Sequence, residues 1–320
     1  MPERTVGQVP DCIYTPTRSP AKHGSDMSDS NKLGPPWTTL KILNWTTQYF
    51  EKNGIPSPRV DAEHLLGHAL GLERIMLYAH FDRPLDKDEL AKIRGMVKRR
   101  AQHEPIAYIT GSRGFWTIDL KTDKRALIPR PDTETLVEAA LARIPAESAA
   151  RIIDVGTGTG AIALAIAHER PTCWLAATDI SEDAIGLAKE NAIALGLIER
   201  VEFFQGDLLD ALAGAWTEPV DVITSNPPYI GTDEEDVMGE DVKRFEPHQA
   251  LFAGDKGLDI IEKLVPQAHA NLKPDGWFLC EIGYRQADEV RAIFEGAGFC
   301  QIEVLKDLGQ NDRVVLGRKA

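Results

Sequence analysis

From Arg151 onward, short apolar runs alternate with segments of helical length: Ile152–Val155, Trp174–Thr178, Val201–Phe204, Val222–Thr224 and Gly276–Glu281, then Gln301–Val304 and Val314–Leu316 with no helix between them. This alternation restricts the fold more than anything else in the chain. Strands joined by helical crossovers lie parallel, and the helices cover both faces of the sheet they form. The last two strands, joined directly, should run antiparallel. The expectation is an α/β domain around a mostly parallel seven-stranded sheet over residues 131–320, with a helix from about Asp132 leading into it.

Ahead of the sheet, cap signals mark a small helical domain over residues 37–104. Asp86-Lys87-Asp88-Glu89 has the spacing of a capping box and opens an amphipathic helix that stops before Pro105. Ser57-Pro58 opens another, with Gly71 placed to end it. Alternation from Ile118 to Ile128, about Asp123-Lys124, predicts a β-hairpin within a linker over 105–130. Residues 1–36 mix Asp11, Asp26 and Asp29 with Ser, Pro and Lys and read as a disordered extension, with Met27 a later candidate start. They carry no pattern of a signal or transit peptide, and no apolar run in the chain is long enough to span a bilayer, so a cytoplasmic protein is expected. Cys12, Cys173, Cys280 and Cys300 are scattered, which suits reduced thiols and offers neither a disulfide framework nor a zinc site. His64 and His68 are four apart on one helix, but without a third ligand packing explains them better than a metal does.

A net charge of −13 argues against a general nucleic-acid binder. The charge is uneven: Arg83 to Arg130 holds twelve Lys or Arg against six Asp or Glu, an excess that could face RNA or an RNA-bound partner. For Lys98-Arg99-Arg100 the plainer reading is a solvated helix face.

The first sheet strand runs through Asp154-Val155 into Gly156-Thr157-Gly158-Thr159-Gly160 and then a helix rich in Ala and Ile. Such a turn lets backbone approach a ligand at a helix N-terminus. Asp179 ends the second strand, positioned for a ribose hydroxyl pair, and Asp207 follows the third, where it can accept from an adenine amino group. The same glycines with an acidic residue downstream also satisfy a dinucleotide fingerprint, so a nicotinamide dehydrogenase remains open on this segment. Asp154 tips the reading toward S-adenosylmethionine, whose ammonium a carboxylate can neutralise. Asn226-Pro227-Pro228-Tyr229, after the fourth strand, points to the acceptor. An amide or exocyclic amino nitrogen is a poor nucleophile because its lone pair is conjugated. The Asn226 side-chain oxygen and the Pro227 carbonyl can accept its hydrogens, the prolines fix the backbone, and Tyr229 offers a ring for stacking. A simple Asn-Pro turn is the alternative.

These residues, with Ile128-Pro129-Arg130-Pro131-Asp132-Thr133-Glu134, Glu246-Pro247, Ala250-Leu251, Glu281-Ile282-Gly283 and Asn311-Asp312-Arg313, give a chain that resembles the glutamine methyltransferases of peptide chain release factors. The resemblance runs from about Trp37 to the C-terminus and implies a Rossmann-like S-adenosylmethionine-dependent methyltransferase domain behind the helical domain and hairpin. It implies that Gly156, Thr157, Gly158, Thr159, Gly160 and Asp179 bind the cofactor, with Asn226 beside it and with Asp207 and Leu208 bordering the adenine. Some relatives have Trp at the position of Leu208. Asn226, Pro227, Pro228 and Tyr229 would hold the substrate glutamine, with Asn226, Pro227 and Tyr229 catalytic and no metal. The helical domain would recognise the body of a release factor, the protein acting as a monomer, and Phe115-Trp116 would either close over the site or pack in the core.

Related acceptors stay in view. Glutamine methyltransferases of a ribosomal protein share Asn-Pro-Pro-Tyr but tend to read Pro-Arg-Ser-Pro where this chain has Pro129-Arg130-Pro131-Asp132. DNA adenine methyltransferases share the tetrapeptide too, yet from Asp233 to Glu246 seven acids face two bases, a poor neighbour for phosphates. A cofactor-binding adaptor without activity is the non-enzymatic alternative.

Overall fold

In the computed structural model, residues 36–232 and 239–320 are described. The expected extension up to residue 35, including Met27 and Cys12, and the acidic run Asp233–Asp236 lie outside the described residues. Two strands, β1 (Ser112–Phe115) and β2 (Ile118–Lys121), pair as an antiparallel hairpin. Seven more form the main sheet: β3 (Arg151–Val155), β4 (Trp174–Asp179), β5 (Val201–Gln205), β6 (Val220–Ser225), β7 (Leu272–Glu281), β8 (Phe299–Lys306) and β9 (Asp312–Lys319). Their spatial order is β5-β4-β3-β6-β7-β9-β8. The first five are parallel, and β9 enters between β7 and β8, antiparallel to both. The direct connection between the last two strands forces that reversal, as expected.

Burial on both faces follows from the strand period of two. Ile152, Leu175, Ala177, Val222, Leu279, Val314 and Leu316 point into one core, which holds the helices Glu134–Arg143 and Ala161–Glu169. Their neighbours Ile153, Ala176, Ile223, Phe278, Cys280 and Val315 point into the other, beneath the helices Asp259–Asn271 and Ala287–Gly296. There Phe278 and Phe294 stack with centroids 5.2 Å apart.

Five helices precede the hairpin: Thr39–Lys52, Pro58–Leu70, Arg74–Ala79, Lys87–Arg100 and Ile106–Thr110. Asp86 and Glu89 form the reciprocal capping box, and Gly71 ends the second helix in the left-handed conformation. Arg100 is no solvated end of a basic face: it is buried with Asp61 at 2.7 Å, while Arg99 binds Glu104 at 2.6 Å. From Thr38 to Ala320 the chain is one compact unit. The helical part meets the rest through Tyr108, whose hydroxyl donates to the Ala126 carbonyl at 2.9 Å.

The hairpin corrects one expectation. It turns at Trp116-Thr117, with Trp116 at φ +53°, and not at Asp123-Lys124. Asp123 instead accepts from the Arg125 backbone and guanidinium, a local turn with no returning strand. Phe115 is a core residue, and Trp116 donates through Nε1 to Glu169 at 2.9 Å. Among the described residues no helix is long and apolar enough to cross a membrane. No group of three His, Cys, Asp or Glu among them is placed to hold a metal ion.

Candidate active site

The sheet reverses its direction of growth at β3, which has β4 on one side and β6 on the other. Ligands of open α/β sheets bind outside the carboxyl ends of the strands at such a point. The glycine turn follows β3, Asp179 ends β4 and Asn226 follows β6, so three adjacent strand ends deliver them to one place. The turn folds back over β4: the Gly156 and Thr157 N–H groups both donate to the Thr178 carbonyl at 2.9 Å. Gly156, Gly158 and Gly160 all have positive φ. Gly160 is also too crowded for a side chain, because a Cβ there would stand 2.9 Å from Leu164 Cδ1 and 3.3 Å from Ala188 Cβ.

A cavity opens above these strand ends. Gly156, Thr157, Gly158, Thr159, Asp179, Asp207, Leu208, Asn226, Pro227 and Pro228 line it. Gly160 and Tyr229 do not. Gly160 lies behind the turn, packing the following helix. Tyr229 lies on the far side of its loop, where its hydroxyl donates to Glu281 Oε1 at 3.4 Å and its carbonyl accepts from Gln286 Nε2 at 2.9 Å. Burial and the neighbouring Glu281 carboxylate push the Tyr229 phenol well up, so it stays neutral. Phe115 and Trp116 stand away from the cavity.

Asp179 is set by backbone donors. Its Oδ2 accepts from Gly158 N and its Oδ1 from Ser181 N, each at 2.9 Å. Burial raises its pKa while those donors hold it back. Asp154 departs from the expectation of a carboxylate facing an ammonium. It is 0% exposed, lies beneath the turn, and accepts from the hydroxyls of Thr157 at 2.7 Å and Thr224 at 2.9 Å. Burial pushes it up to about 7. The reason is strand geometry: Asp154 sits within a strand buried on both faces, and its carboxylate ties β3, the turn and β6 together.

Asn226 turns its Nδ2 to the Thr133 hydroxyl at 3.2 Å, which leaves Oδ1 as the group it can offer to the cavity. Thr133 ends the 3₁₀ turn Pro131–Thr133 and lines the cavity as well. Residues to which sequence reasoning gave no role complete the wall. Ala126, Leu127, Pro129 and Arg130 come from the segment after the hairpin, and Pro247, Gln249 and Ala250 from the loop after β6. Glu246, 4% exposed, joins the two segments: Oε1 accepts from Arg130 Nη2 at 2.5 Å and Oε2 from Ile128 N at 3.2 Å. Motif similarity flagged both stretches, but only the fold shows that they meet.

Residues 41–111 match the model of the PrmC N-terminal domain, and residues 146–301 match a methyltransferase domain model. A release factor glutamine methyltransferase of Geobacter sulfurreducens is 42% identical over 88% of this chain and 97% of its own length. One of Escherichia coli is 44% identical over 82% of this chain and 92% of its own. A solved structure described as a release factor-specific protein-(glutamine-N5) methyltransferase, from Alicyclobacillus acidocaldarius, is 30% identical over 60% of this chain and 94% of its own, with a TM-score of 0.37. The glycine turn, Asp179 and the Asn226 loop thus stand at the switch point of a methyltransferase domain behind a PrmC N-terminal domain, and the chain belongs to the release factor glutamine methyltransferase family.

Proposed function

We propose that this protein transfers the methyl group of S-adenosylmethionine to the side-chain amide nitrogen of the glutamine in the Gly-Gly-Gln motif of a peptide chain release factor. The observation that carries the reading is Asn226: it shares one cavity with the glycine turn and Asp179, and Thr133 engages its nitrogen so that the oxygen is left to accept. The donor set suits the cofactor. Asp179 and Asp207 supply acceptors for ribose hydroxyls and an adenine amino group, Leu208 and Ile180 supply apolar walls, and the turn from Gly156 through Thr159, packed from behind by Gly160, supplies backbone close to the ligand. The bound cofactor supplies an electrophilic methyl group on sulfur.

The protein's own part is orientation. Asn226 Oδ1 and the Pro227 carbonyl accept the two hydrogens of the glutamine amide, aim the nitrogen lone pair, and stabilise the positive charge that develops on nitrogen. No strong base is needed, because the proton can leave after transfer. Pro228 stiffens the loop, and Tyr229, held on Glu281 and Gln286, anchors it from outside the cavity. Residues 37–104 would recognise the body of the factor, 105–130 would link, and 131–320 would carry the chemistry. The protein would act as a cytoplasmic monomer with no nucleic-acid substrate. In support, Arg99, Arg100, Arg125 and Arg130 of the basic segment are paired within the chain.

The test is a transfer assay on Asn226→Ala. The rate should fall about 100-fold, as for removal of one preorganised group at a reacting centre, while cofactor affinity changes less than about threefold. Equal losses in rate and affinity would contradict the role of Asn226.

A further inference from the structure

Between Ser225, which ends β6, and Ile230 stand Asn226, Pro227, Pro228 and Tyr229. Proline brings no N–H, so the middle of this stretch cannot tie itself down through backbone donors. Its near end is held by Ser225, whose Oγ donates to the Val155 carbonyl at 2.8 Å. Its far end meets Gln286, half-buried just ahead of the helix Ala287–Gly296. Gln286 Nε2 donates to the Tyr229 carbonyl at 2.9 Å and to the Lys256 carbonyl at 3.0 Å, while Oε1 accepts from Gly283 N at 2.9 Å. One side-chain amide thus joins the loop after β6, the bend before the helix Asp259–Asn271 and the loop after β7. It cannot be turned over, because its oxygen would then face two carbonyls and its NH2 an N–H. The approach is close as well: Gly257 has φ +69°, and a Cβ there would run into the Tyr229 oxygen and stand 2.8 Å from Gln286 Nε2.

Resting on the proposed roles of Asn226 and Pro227, we propose that Gln286 is a positioning residue for methyl transfer: by fixing the Tyr229 carbonyl it sets the direction of the Pro227 carbonyl that receives one hydrogen of the substrate amide. The proline rings fix φ at 227 and 228, so with Ser225 held at one end and the Tyr229 carbonyl at the other, few torsions remain between them. Without the two donors of Gln286 the Tyr229–Ile230 peptide can rotate, and the Pro227 and Pro228 torsions follow it. Two acceptors aimed at the two hydrogens of one nitrogen tolerate little such rotation, because the rate depends on the alignment of the nitrogen lone pair with the methyl group.

This anchor is separate from the contacts that keep the stretch in the fold. Ile230 N donates to the Leu251 carbonyl at 3.0 Å, and the Ile230 carbonyl accepts from Ala253 N at 3.1 Å. A change at Gln286 therefore leaves the loop in its place and relaxes only its inner geometry. Gln286 does not line the cofactor cavity, so the effect falls on transfer and not on cofactor binding.

The experiment measures single-turnover methylation across a range of release factor concentrations by wild type, Gln286→Glu and Gln286→Ala, with cofactor affinity measured beside each and rates expressed per molecule that binds cofactor. Gln286→Glu keeps an acceptor for Gly283 N and loses both donors; Gln286→Ala loses all three bonds. The maximal rate should fall about tenfold in both, the worth of one hydrogen bond. The half-saturating concentration of factor and the cofactor affinity should change less than about threefold. A merely structural role would lower the fraction that binds cofactor and leave the rate per binding molecule as in wild type. A maximal rate equal to wild type in Gln286→Glu, or a loss confined to half-saturation or to cofactor affinity, overturns the proposal while leaving the function intact. No transfer by wild type to a glutamine acceptor overturns the function and this proposal with it.

Discussion

Asp154 lies within β3 and Asp179 ends the neighbouring β4, and the fold gives them different work. Asp179 lines the cavity with both oxygens already steered by backbone N–H groups, which under the proposed function leaves its other lone pairs preorganised for a ribose. Asp179→Ala should weaken cofactor binding about 10- to 100-fold, the loss of hydrogen bonds to a charged group, with the fold kept; unchanged titration calorimetry would remove Asp179 from the site. Asp154 holds the fold beneath it. Its folded pKa of about 7 lies above the ordinary 3.8, so between those values the folded chain keeps a proton that the unfolded chain has released. Stability therefore falls as pH rises through that window, and Glu281 adds to the same trend. Asp154→Asn should flatten the fall, read from urea midpoints across the window, whereas an unchanged slope would mean Asp154 is not its source. Asp179 was legible in sequence because a polar residue closing an apolar strand has only a strand end to occupy. The buried position of Asp154 could have been read from its place between Ile153 and Val155 in a strand covered on both faces. A carboxylate beside a glycine turn otherwise looks the same whether it faces a ligand or supports the turn.

The elements show where local patterns suffice and where they do not. Capping boxes and glycine stops act within a few residues, so the helices at Lys87–Arg100 and Pro58–Leu70 follow from sequence directly. The hairpin was misplaced because β2 was legible but its partner was not. Ser112-Arg113-Gly114 has little strand character, and the turn rests on Trp116 in a positive-φ conformation, its N–H held by Glu134 at 3.0 Å. The helix Glu240–Phe245 is another long-range feature. Phe245 packs against Tyr108 and Ile128, and Glu246 binds Arg130 and the Ile128 N–H, so a loop from the sheet is strapped to the segment after the hairpin. Arg130→Ala leaves a buried carboxylate half-satisfied, at a cost of about 1–3 kcal/mol. Amide exchange over residues 239–250 should rise, and cofactor should leave faster, since Pro247 and Gln249 line its cavity. Exchange at the wild-type rate would mean that the strap is held by Phe245 alone.

At the scale of the whole molecule, the alternation of apolar runs and helices was enough to predict the sheet, because parallel strands have few ways to bury two faces. The insertion of β9 between β7 and β8 was not legible, since sequence shows that two strands are joined but not which neighbour each takes. The helical part and the sheet form one compact unit from Thr38 onward. Far-UV circular dichroism and tryptophan fluorescence should therefore report one coincident unfolding transition, and two separated transitions would show that the parts unfold independently. The central claim, methyl transfer to a release factor glutamine, needs that whole unit and is tested by its product. Purified protein, labelled S-adenosylmethionine and intact release factor are incubated beside a factor whose Gly-Gly-Gln glutamine is replaced by alanine, with ribosomal protein and DNA as parallel acceptors. The account predicts label on the glutamine side chain of the intact factor and none on the replaced one; label only on ribosomal protein or DNA, or equal label on both factors, would contradict it.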